Sequence, residues 1–260
     1  MNRKLIFAFI IVEAALFIIF VILDFSDGYG MTVAILKYLS IILCMGMVLA
    51  NAVGTVRSAH TPNIERTYYG AGVENTASNT LFAAVLAAAA MCFTAVSDWF
   101  LLFVDDIRPG VISFCVVQTI YLAVIMGGCT RKTAVVLAVR GILTAACFCA
   151  LTDMFPKEKL LLAVVLFYAI SFFGNILHLA VDTVRRKEQN PCLFRRRGLF
   201  LAGMILFMLC DLNVLLFSLG DYVIIDSAVF IALAAAAPYL IWIFYLPSQV
   251  MIVLSNIEFR

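Results

Sequence analysis

The segment from Leu81 to Val104 reads LFAAVLAAAAMCFTAVSDWFLLFV and carries one charged side chain, Asp98. A helix needs roughly 20 apolar residues to cross about 30 Å of hydrocarbon, so this segment predicts a transmembrane helix. An ionised carboxylate inside such a helix is costly unless another group offsets its charge. The segment therefore poses two questions: what class of protein contains it, and which groups surround Asp98.

The whole chain has the composition of an integral membrane protein. Of its 260 residues, 65% are hydrophobic and 13% are charged, and the mean hydropathy is +1.08. A soluble domain of this length is far less apolar. The net charge of +2 is small and its basic residues are scattered, and no zinc-type Cys/His spacing is present, so nucleic-acid binding and zinc sites are excluded. Most of the cysteines lie in apolar runs, where we expect small buried thiols and no disulfide.

Eight segments are long and apolar enough to span a bilayer, and short polar turns separate most of them. The predicted spans are Leu5–Leu23, Met31–Val56, Leu81–Val104, Gly110–Gly128, Thr133–Leu151, Leu160–Val184, Gly198–Leu219 and Ala228–Leu254. We therefore predict an all-α fold, a polytopic bundle of eight transmembrane helices that forms one integral membrane domain over residues 1–260. The pattern predicts no role for the loop at 57–80 and no oligomeric state.

Basic residues orient the predicted bundle. With the N-terminus in the cytoplasm, the opposite loops hold only Arg108, Lys157 and Lys159, and all other loop lysines and arginines are cytoplasmic. Both termini are therefore predicted to be cytoplasmic, in the cell membrane if the protein is bacterial. The first span has no small-residue cleavage site before Asp24, so we expect it to be retained as a helix.

Four polar residues are predicted to share one level beneath the outer surface. At 1.5 Å per residue, Lys37 and Asp98 lie roughly 8 and 9 Å deep, and Gln118 and Asp211 roughly 12 Å deep. We expect Asp98 to face the interior, where Lys37 offsets part of its charge and Asp211 shares a proton with it, because two close carboxylates rarely both ionise in a low dielectric. Buried polar groups can also simply hold helices together, but four at one depth favour a site.

Other intramembrane polar residues are open to more than one interpretation. Glu13 could join that site or pair with a neighbouring helix, and Arg140 is expected to extend its side chain to the cytoplasmic surface. Asn175, His178 and Asp182 share one face of helix 6, where packing is favoured over a metal site. A phenylalanine followed closely by Ser-Asp or Cys-Asp occurs in helices 3 and 7, which is consistent with a duplicated four-helix unit as an alternative to an unrepeated bundle.

The order of these motifs resembles that of the lysoplasmalogenase-like, or YhhN-type, membrane proteins, which also have eight predicted spans. FTAVSDWFL in helix 3 is similar to the family's Phe-Ser-x-x-Gly-Asp-x-x-Leu, and GMILFMLCD in helix 7 to its Gly-x-x-x-Phe-x-x-Ser-Asp. GVISFCVVQTIY in helix 4 has Gln118 where the family has histidine. LKYL in helix 2 keeps Lys37 but lacks the following proline, and YLPSQ in helix 8 resembles Tyr-x-x-Ala-Gln. The matched family positions are Lys37, Phe93, Asp98, Leu101, Gly110, Phe114, Tyr121, Gly203, Phe207, Asp211, Tyr245 and Gln249.

The resemblance implies hydrolysis of the vinyl ether bond of lysoplasmalogens, which releases a fatty aldehyde and a glycerophospho-base. On that basis Asp98 and Asp211 form an acid/base pair, as carboxylates do in glycosidases. The substrate-binding or orienting residues would be Lys37, Gln118, Tyr121, Tyr245 and Gln249. No cofactor and no metal is implied, and the expected partner is a membrane lipid, a lysophospholipid substrate.

Two other functions fit the same residues. Buried acids and a lysine could form the site of a proton-coupled transporter, although few broken, glycine-rich helices are present. Alternatively, the protein could be a non-catalytic lipid-binding or lipid-sensing relative of the hydrolases, because glutamine at position 118 cannot take a proton as histidine can.

Overall fold

The computed structural model describes residues 2–27, 30–60, 72–104, 106–153, 155–156, 158–186, 191–219 and 227–257. Within these ranges the chain forms eight helices and no β-strand. The helices are α1 (Arg3–Asp27), α2 (Met31–His60), α3 (Gly72–Trp99), α4 (Ile107–Met126), α5 (Arg131–Leu151), α6 (Lys159–Arg186), α7 (Pro191–Leu219) and α8 (Ala228–Ser255), and a π-helical turn at Phe100–Val104 continues α3. All eight are long and apolar enough to cross a membrane, which confirms the predicted fold class. The protein is an integral, multi-pass membrane protein.

Several helices extend beyond the predicted spans. α1 continues past Leu23 to Asp27, α2 continues past Val56 to His60, and α3 begins at Gly72, ahead of Leu81. α7 begins at Pro191, ahead of Gly198. The structure therefore describes much of the predicted loop at 57–80 as helix, and only residues 61–71 of it lie outside the described ranges. The difference arises because a helix satisfies its backbone hydrogen bonds locally and can continue into polar sequence beyond the apolar run.

The helices group into two compact units. Unit 1 consists mainly of Met45–Val181, and unit 2 of Asn2–Cys44 together with Asp182–Ser255. Unit 2 therefore combines α1 and the first half of α2 with α7 and α8. This grouping differs from helices 1–4 and 5–8, so the four-helix duplication stays a prediction, as does the single domain over residues 1–260.

In unit 1, α3 and α4 form a close antiparallel pair. Gly110 on α4 faces α3, where an added Cβ would lie 2.9 Å from Leu101 Cγ. At the same level the hydroxyl of Ser97 donates a 2.8 Å hydrogen bond to the carbonyl of Gly110. Such close approach of two backbones in a membrane requires a small residue at the crossing. The Gly110–Ser97 contact therefore fixes the last turn of α3, which carries Asp98.

In unit 2, α7 and α8 make a similar contact. A Cβ on Gly203 would lie 2.9 Å from Ile252 Cγ1 and 3.0 Å from the carbonyl oxygen of Ser248. α1 also packs on α8, through Phe20 against Trp242 and the stacked rings of Phe25 and Tyr239, whose centroids are 4.8 Å apart. These contacts hold three helices of unit 2 together.

We expect Gly203→Ala to destabilise the protein, because the new methyl group overlaps α8 and must push two packed helices apart. Overpacking of this kind costs about 1–3 kcal/mol. Gly198→Ala on the same helix is the matched control, since its Cβ would meet nothing within 4 Å. There the loss of glycine should stabilise the helix by roughly 0.5–1 kcal/mol. Thermal unfolding in detergent measures both, and equal effects of the two substitutions would contradict the packing described for α7 and α8.

Candidate functional site

Asp98 lies on the last turn of α3, just before the π-helical turn at Phe100–Val104. Its side chain is only 4% exposed. Two buried hydroxyls precede it in α3, and both donate to backbone carbonyls, Thr94 to Ala90 and Ser97 to Gly110. Single π-helical turns are uncommon and occur frequently at functional sites. The local structure therefore buries a carboxylate at a helix irregularity, which is a suitable setting for a reactive acid.

Gln118 on α4 is bound to α6 through Asn175, and both side chains are fully buried. The amide nitrogen of Asn175 donates to the backbone oxygen of Gln118 at 2.8 Å and to its Oε1 at 2.9 Å. Nε2 of Gln118 and Oδ1 of Asn175 have no hydrogen-bond partner. Tyr121, one turn further along α4, is also buried. Asn175 thus has a packing role, and both N–H donors of the Gln118 side chain are free.

In unit 2, Lys37 forms a buried ion pair with Asp24. The Lys37 Nζ atom lies 2.7 Å from Oδ2 and 3.0 Å from Oδ1 of Asp24, and neither residue is more than 5% exposed. The same ammonium lies 5.8 Å from the ring centroid of Phe20 and 5.2 Å from that of Trp242, within range of cation–π attraction. The position of this charge is therefore fixed by a carboxylate and two aromatic rings.

Sequence reasoning missed Asp24 because it was assigned to the turn after the first span. The structure places it in the last turn of α1, where it is buried opposite α2. A signal was present: Asp24 and Lys37 flank a short connection, and consecutive helices joined in this way lie side by side. An acid and a base at similar distances from such a connection can pair.

The family positions of helices 7 and 8 meet within unit 2. The ring of Tyr245 lies 5.1 Å from that of Trp242 and 5.5 Å from that of Phe207, between centroids. Gln249, one turn beyond Tyr245, is fully buried, and its Oε1 has no hydrogen-bond partner. Asp211 is half-buried and follows Phe207 by one turn of α7. Aromatic rings therefore connect the region of Lys37 to the helix that carries Asp211.

The predicted site residues are divided between the two units. Unit 1 holds Asp98, Gln118 and Tyr121, and unit 2 holds Lys37, Asp211, Tyr245 and Gln249. The proximity of Asp98 to Asp211, and that of Lys37 to Asp98, stay predictions. Over the described part of the chain, no group of three or more His, Cys, Asp or Glu side chains is arranged to hold a metal ion.

The structure also decides the alternatives for two other charged residues. Glu13 pairs with the neighbouring helix, since its Oε1 accepts a contact of 3.6 Å from the thiol of Cys44 on α2. The expectation that Arg140 reaches the cytoplasmic surface is wrong, because its side chain is only 4% exposed. The guanidinium lies instead against Gly174 on α6, where the missing Cβ leaves room for it.

Comparison with known proteins identifies the family of this chain. The model of the YhhN family matches residues 67–256, which is most of the chain. The chain belongs to the YhhN family. No curated protein and no solved structure gives a significant match. Within the YhhN pattern, the glycines at 110 and 203 now have a structural reason, since both lie where a neighbouring helix leaves no space for a side chain.

Proposed function

We propose that this YhhN-family protein is a membrane-embedded hydrolase of lysoplasmalogens. The observation that carries the proposal is Asp98, a carboxylate buried within a membrane span, in the helix 3 segment that resembles the family's Phe-Ser-x-x-Gly-Asp-x-x-Leu. Intramembrane ionisable groups usually mark a reaction or transport path, because leaving them there without a use is costly. The matched region includes the six spans α3 to α8, and therefore both Asp98 and Asp211.

Vinyl ether hydrolysis needs an acid and a nearby base. A carboxylic acid transfers its proton to the alkene carbon that is not bonded to oxygen, which gives an oxocarbenium ion. Water then adds to the carbon bonded to oxygen and loses a proton to a carboxylate, forming a hemiacetal. When the hemiacetal breaks its bond to the glycerol oxygen, its hydroxyl gives up a proton to a carboxylate and the glycerol oxygen takes one from a carboxylic acid, so that a fatty aldehyde and a glycerophospho-base leave. Two carboxylates can divide these roles, as they do in glycosidases.

The remaining residues would bind and orient the lipid. Lys37, held by Asp24 and its two aromatic neighbours, supplies a fixed positive charge that would keep one carboxylate ionised or contact the lipid's phosphate. Nε2 of Gln118 and Oε1 of Gln249 are a buried donor and a buried acceptor without partners, and so can orient water or the ether oxygen. Tyr121 and Tyr245 would line the path of the lipid's alkenyl chain.

The test is aldehyde release from a lysoplasmalogen by purified protein in detergent. We expect turnover of the vinyl ether and none of the matching 1-O-alkyl lysophospholipid, because a saturated ether has no carbon that a carboxylic acid can protonate. Absence of aldehyde from protein that is folded and monodisperse would count against the hydrolase.

One observation favours a second candidate, a non-catalytic lipid sensor. Gln118 replaces the family's histidine and cannot transfer protons, and its Oε1 is engaged by Asn175. If this position must transfer a proton, the protein binds the lipid without cleaving it. Uncleaved lysoplasmalogen would then copurify with the protein, and mass spectrometry of the extracted lipids separates the two functions.

We also propose that both termini are cytoplasmic, on the basis of the lysine and arginine bias. Exposed thiols at Cys129, between α4 and α5, and at Cys192, at the start of α7, test this orientation. In intact cells a membrane-impermeant maleimide should label neither, and permeabilisation should expose both. Asp106→Cys, at the opposite end of α4, should be labelled in intact cells. Labelling of Cys129 before permeabilisation would reverse the orientation.

A further inference from the structure

Arg140 is the one buried arginine in the described spans that has no counter-charge. Its side chain is 4% exposed, and neither Nη1 nor Nη2 has a hydrogen-bond partner. By contrast, the buried ammonium of Lys37 is paired with the carboxylate of Asp24. A guanidinium stays charged at any physiological pH, so burial without an anion is strongly unfavourable. An anion bound at this position would supply the missing counter-charge.

The surroundings of Arg140 are built to hold this side chain in place. Gly174 on α6 faces it so closely that a Cβ would lie 2.8 Å from Nη2 and 3.1 Å from Cζ and Nε. Any other residue at position 174 would displace the guanidinium. Ser171, one turn earlier on the same face of α6, is 1% exposed and its hydroxyl has no partner. Two buried donors without acceptors thus lie along one helix face.

The same face continues to the predicted site. Asn175 follows Gly174 in sequence and bonds to Gln118, whose Nε2 is another buried donor without a partner. Gln118 and Arg140 are each eleven residues, or roughly 16 Å, from the helix ends that lie on the same side of the bundle, Ile107 and Leu151. The unsatisfied donors of Arg140, Ser171 and Gln118 therefore belong to one region of unit 1.

We propose that Arg140, with Ser171, forms a phosphate-binding site within the membrane span that takes the phosphodiester of a single-chain phospholipid. A guanidinium binds phosphate oxygens through two parallel N–H donors, and a hydroxyl supplies a third. The free donors outnumber the free acceptors, so the ligand must supply several acceptor oxygens. Rather than free phosphate, the ligand is a lipid, because exposed apolar side chains of α5, including Val139 and Leu143, flank Arg140 on the same helix.

Access to this site requires a small movement of α5. The terminal nitrogens of Arg140 are closed to solvent, so a ligand reaches them only when α5 shifts enough to open the packing around the guanidinium. α5 is the least buried of the eight spans, with 6% of its most apolar window inside the protein. Few packing contacts are lost when such a helix shifts, so lipid can enter from the side of α5.

The inference rests on the proposed hydrolase for the identity of the lipid, and the experiment separates the two. Binding of the non-cleavable 1-O-alkyl lysophospholipid is measured by its shift of the thermal unfolding midpoint in detergent. We expect Arg140→Met to weaken this binding by about 10- to 100-fold, the effect of losing a charged hydrogen-bonding partner. Binding of the phosphate-free 1-O-alkylglycerol should be unchanged. In the absence of ligand, Arg140→Met should unfold at the same or a higher temperature, since an unpaired buried charge is removed.

A second variant keeps the charge and moves it. Gly174→Ala should weaken phospholipid binding in the wild type but have no further effect in Arg140→Met, because its methyl group acts by displacing the guanidinium. Gly141→Ala, where a Cβ meets nothing within 4 Å, is the control on α5. If Arg140→Met does not fold, the comparison of Gly174→Ala with Gly141→Ala in the otherwise wild-type protein still tests the site, and equal affinities of these two variants would contradict it.

Three outcomes would overturn the inference. They are wild-type affinity for the alkyl lysophospholipid in Arg140→Met, equal losses for the phosphate-free lipid, and an Arg140-dependent shift with inorganic phosphate alone, which would mean a free anion rather than a lipid. Arg140-dependent binding without aldehyde release from lysoplasmalogen would reject the hydrolase and keep the phosphate site. Aldehyde release together with unchanged lipid affinity in Arg140→Met would reject the phosphate site and keep the hydrolase.

Discussion

Asp98→Asn and Asp211→Asn are each expected to lower the rate of aldehyde release from lysoplasmalogen by at least about 100-fold, the lower end of what general acid–base groups contribute. Asparagine is nearly the same size as aspartate but can neither donate an acidic proton nor accept one as a base. Because asparagine fills nearly the same space at the buried position 98, the packing should be kept, and the effect should fall on the rate constant rather than on folding.

Asp106→Asn is the matched control for these variants. Asp106 is an exposed carboxylate that caps α4 by accepting a hydrogen bond from the backbone nitrogen of Arg108 at 3.1 Å, and asparagine is an equally good cap. It should therefore retain wild-type turnover and wild-type stability. Turnover by either Asp98→Asn or Asp211→Asn at the rate of Asp106→Asn would eliminate the carboxylate mechanism.

Removing one partner of the Asp24–Lys37 pair is expected to have the largest effect on stability. Asp24→Asn leaves the ammonium of Lys37 buried without this carboxylate, and breaking a buried pair in this way costs about 3–5 kcal/mol. The aromatic rings of Phe20 and Trp242 offset part of that charge, because each lies within 6 Å of Nζ. Denaturant titration of the purified protein in mixed micelles measures the loss.

The double variant Asp24→Asn with Lys37→Met separates pairing from packing. Since methionine has a similar length and carries no charge, the double variant should recover most of the stability lost by Asp24→Asn. Arg108 and Glu158 supply a surface comparison: their pair is exposed at 3.1 Å, and its removal should cost at most about 1 kcal/mol. If Asp24→Asn were as mild as loss of this surface pair, the buried ion pair would not hold the ends of α1 and α2 together.

Several features of the fold were predictable because they depend on local sequence. The span around Asp98 could be assigned from its apolar length alone, and the end of α7 at Leu219 follows from the same rule. The helix at Gly72 ahead of Leu81 could not, since it lies beyond the apolar segment. The glycines at 110 and 203 were recognised as a family pattern, but their function as close helix contacts needs the neighbouring helix.

The burial of several candidate residues was predictable, and their partners were not. Burial of Lys37, Asp98 and Gln118 follows from their place in apolar spans. That Lys37 pairs with Asp24, that Gln118 bonds to Asn175, and that Arg140 lies against Gly174 did not follow. Each of these partners is on another helix, and helix periodicity gives the face of a residue but not the helix that it meets.

The sequence by itself determined that this chain is a bundle of eight membrane-spanning helices with acids and bases inside it, because hydrocarbon permits few polar side chains and each can be counted. Only the tertiary structure decided which of those charges are paired and which are left over. Pairing depends on the contacts between helices distant in sequence, and there the absence of a single Cβ at Gly174 gives a buried arginine its place.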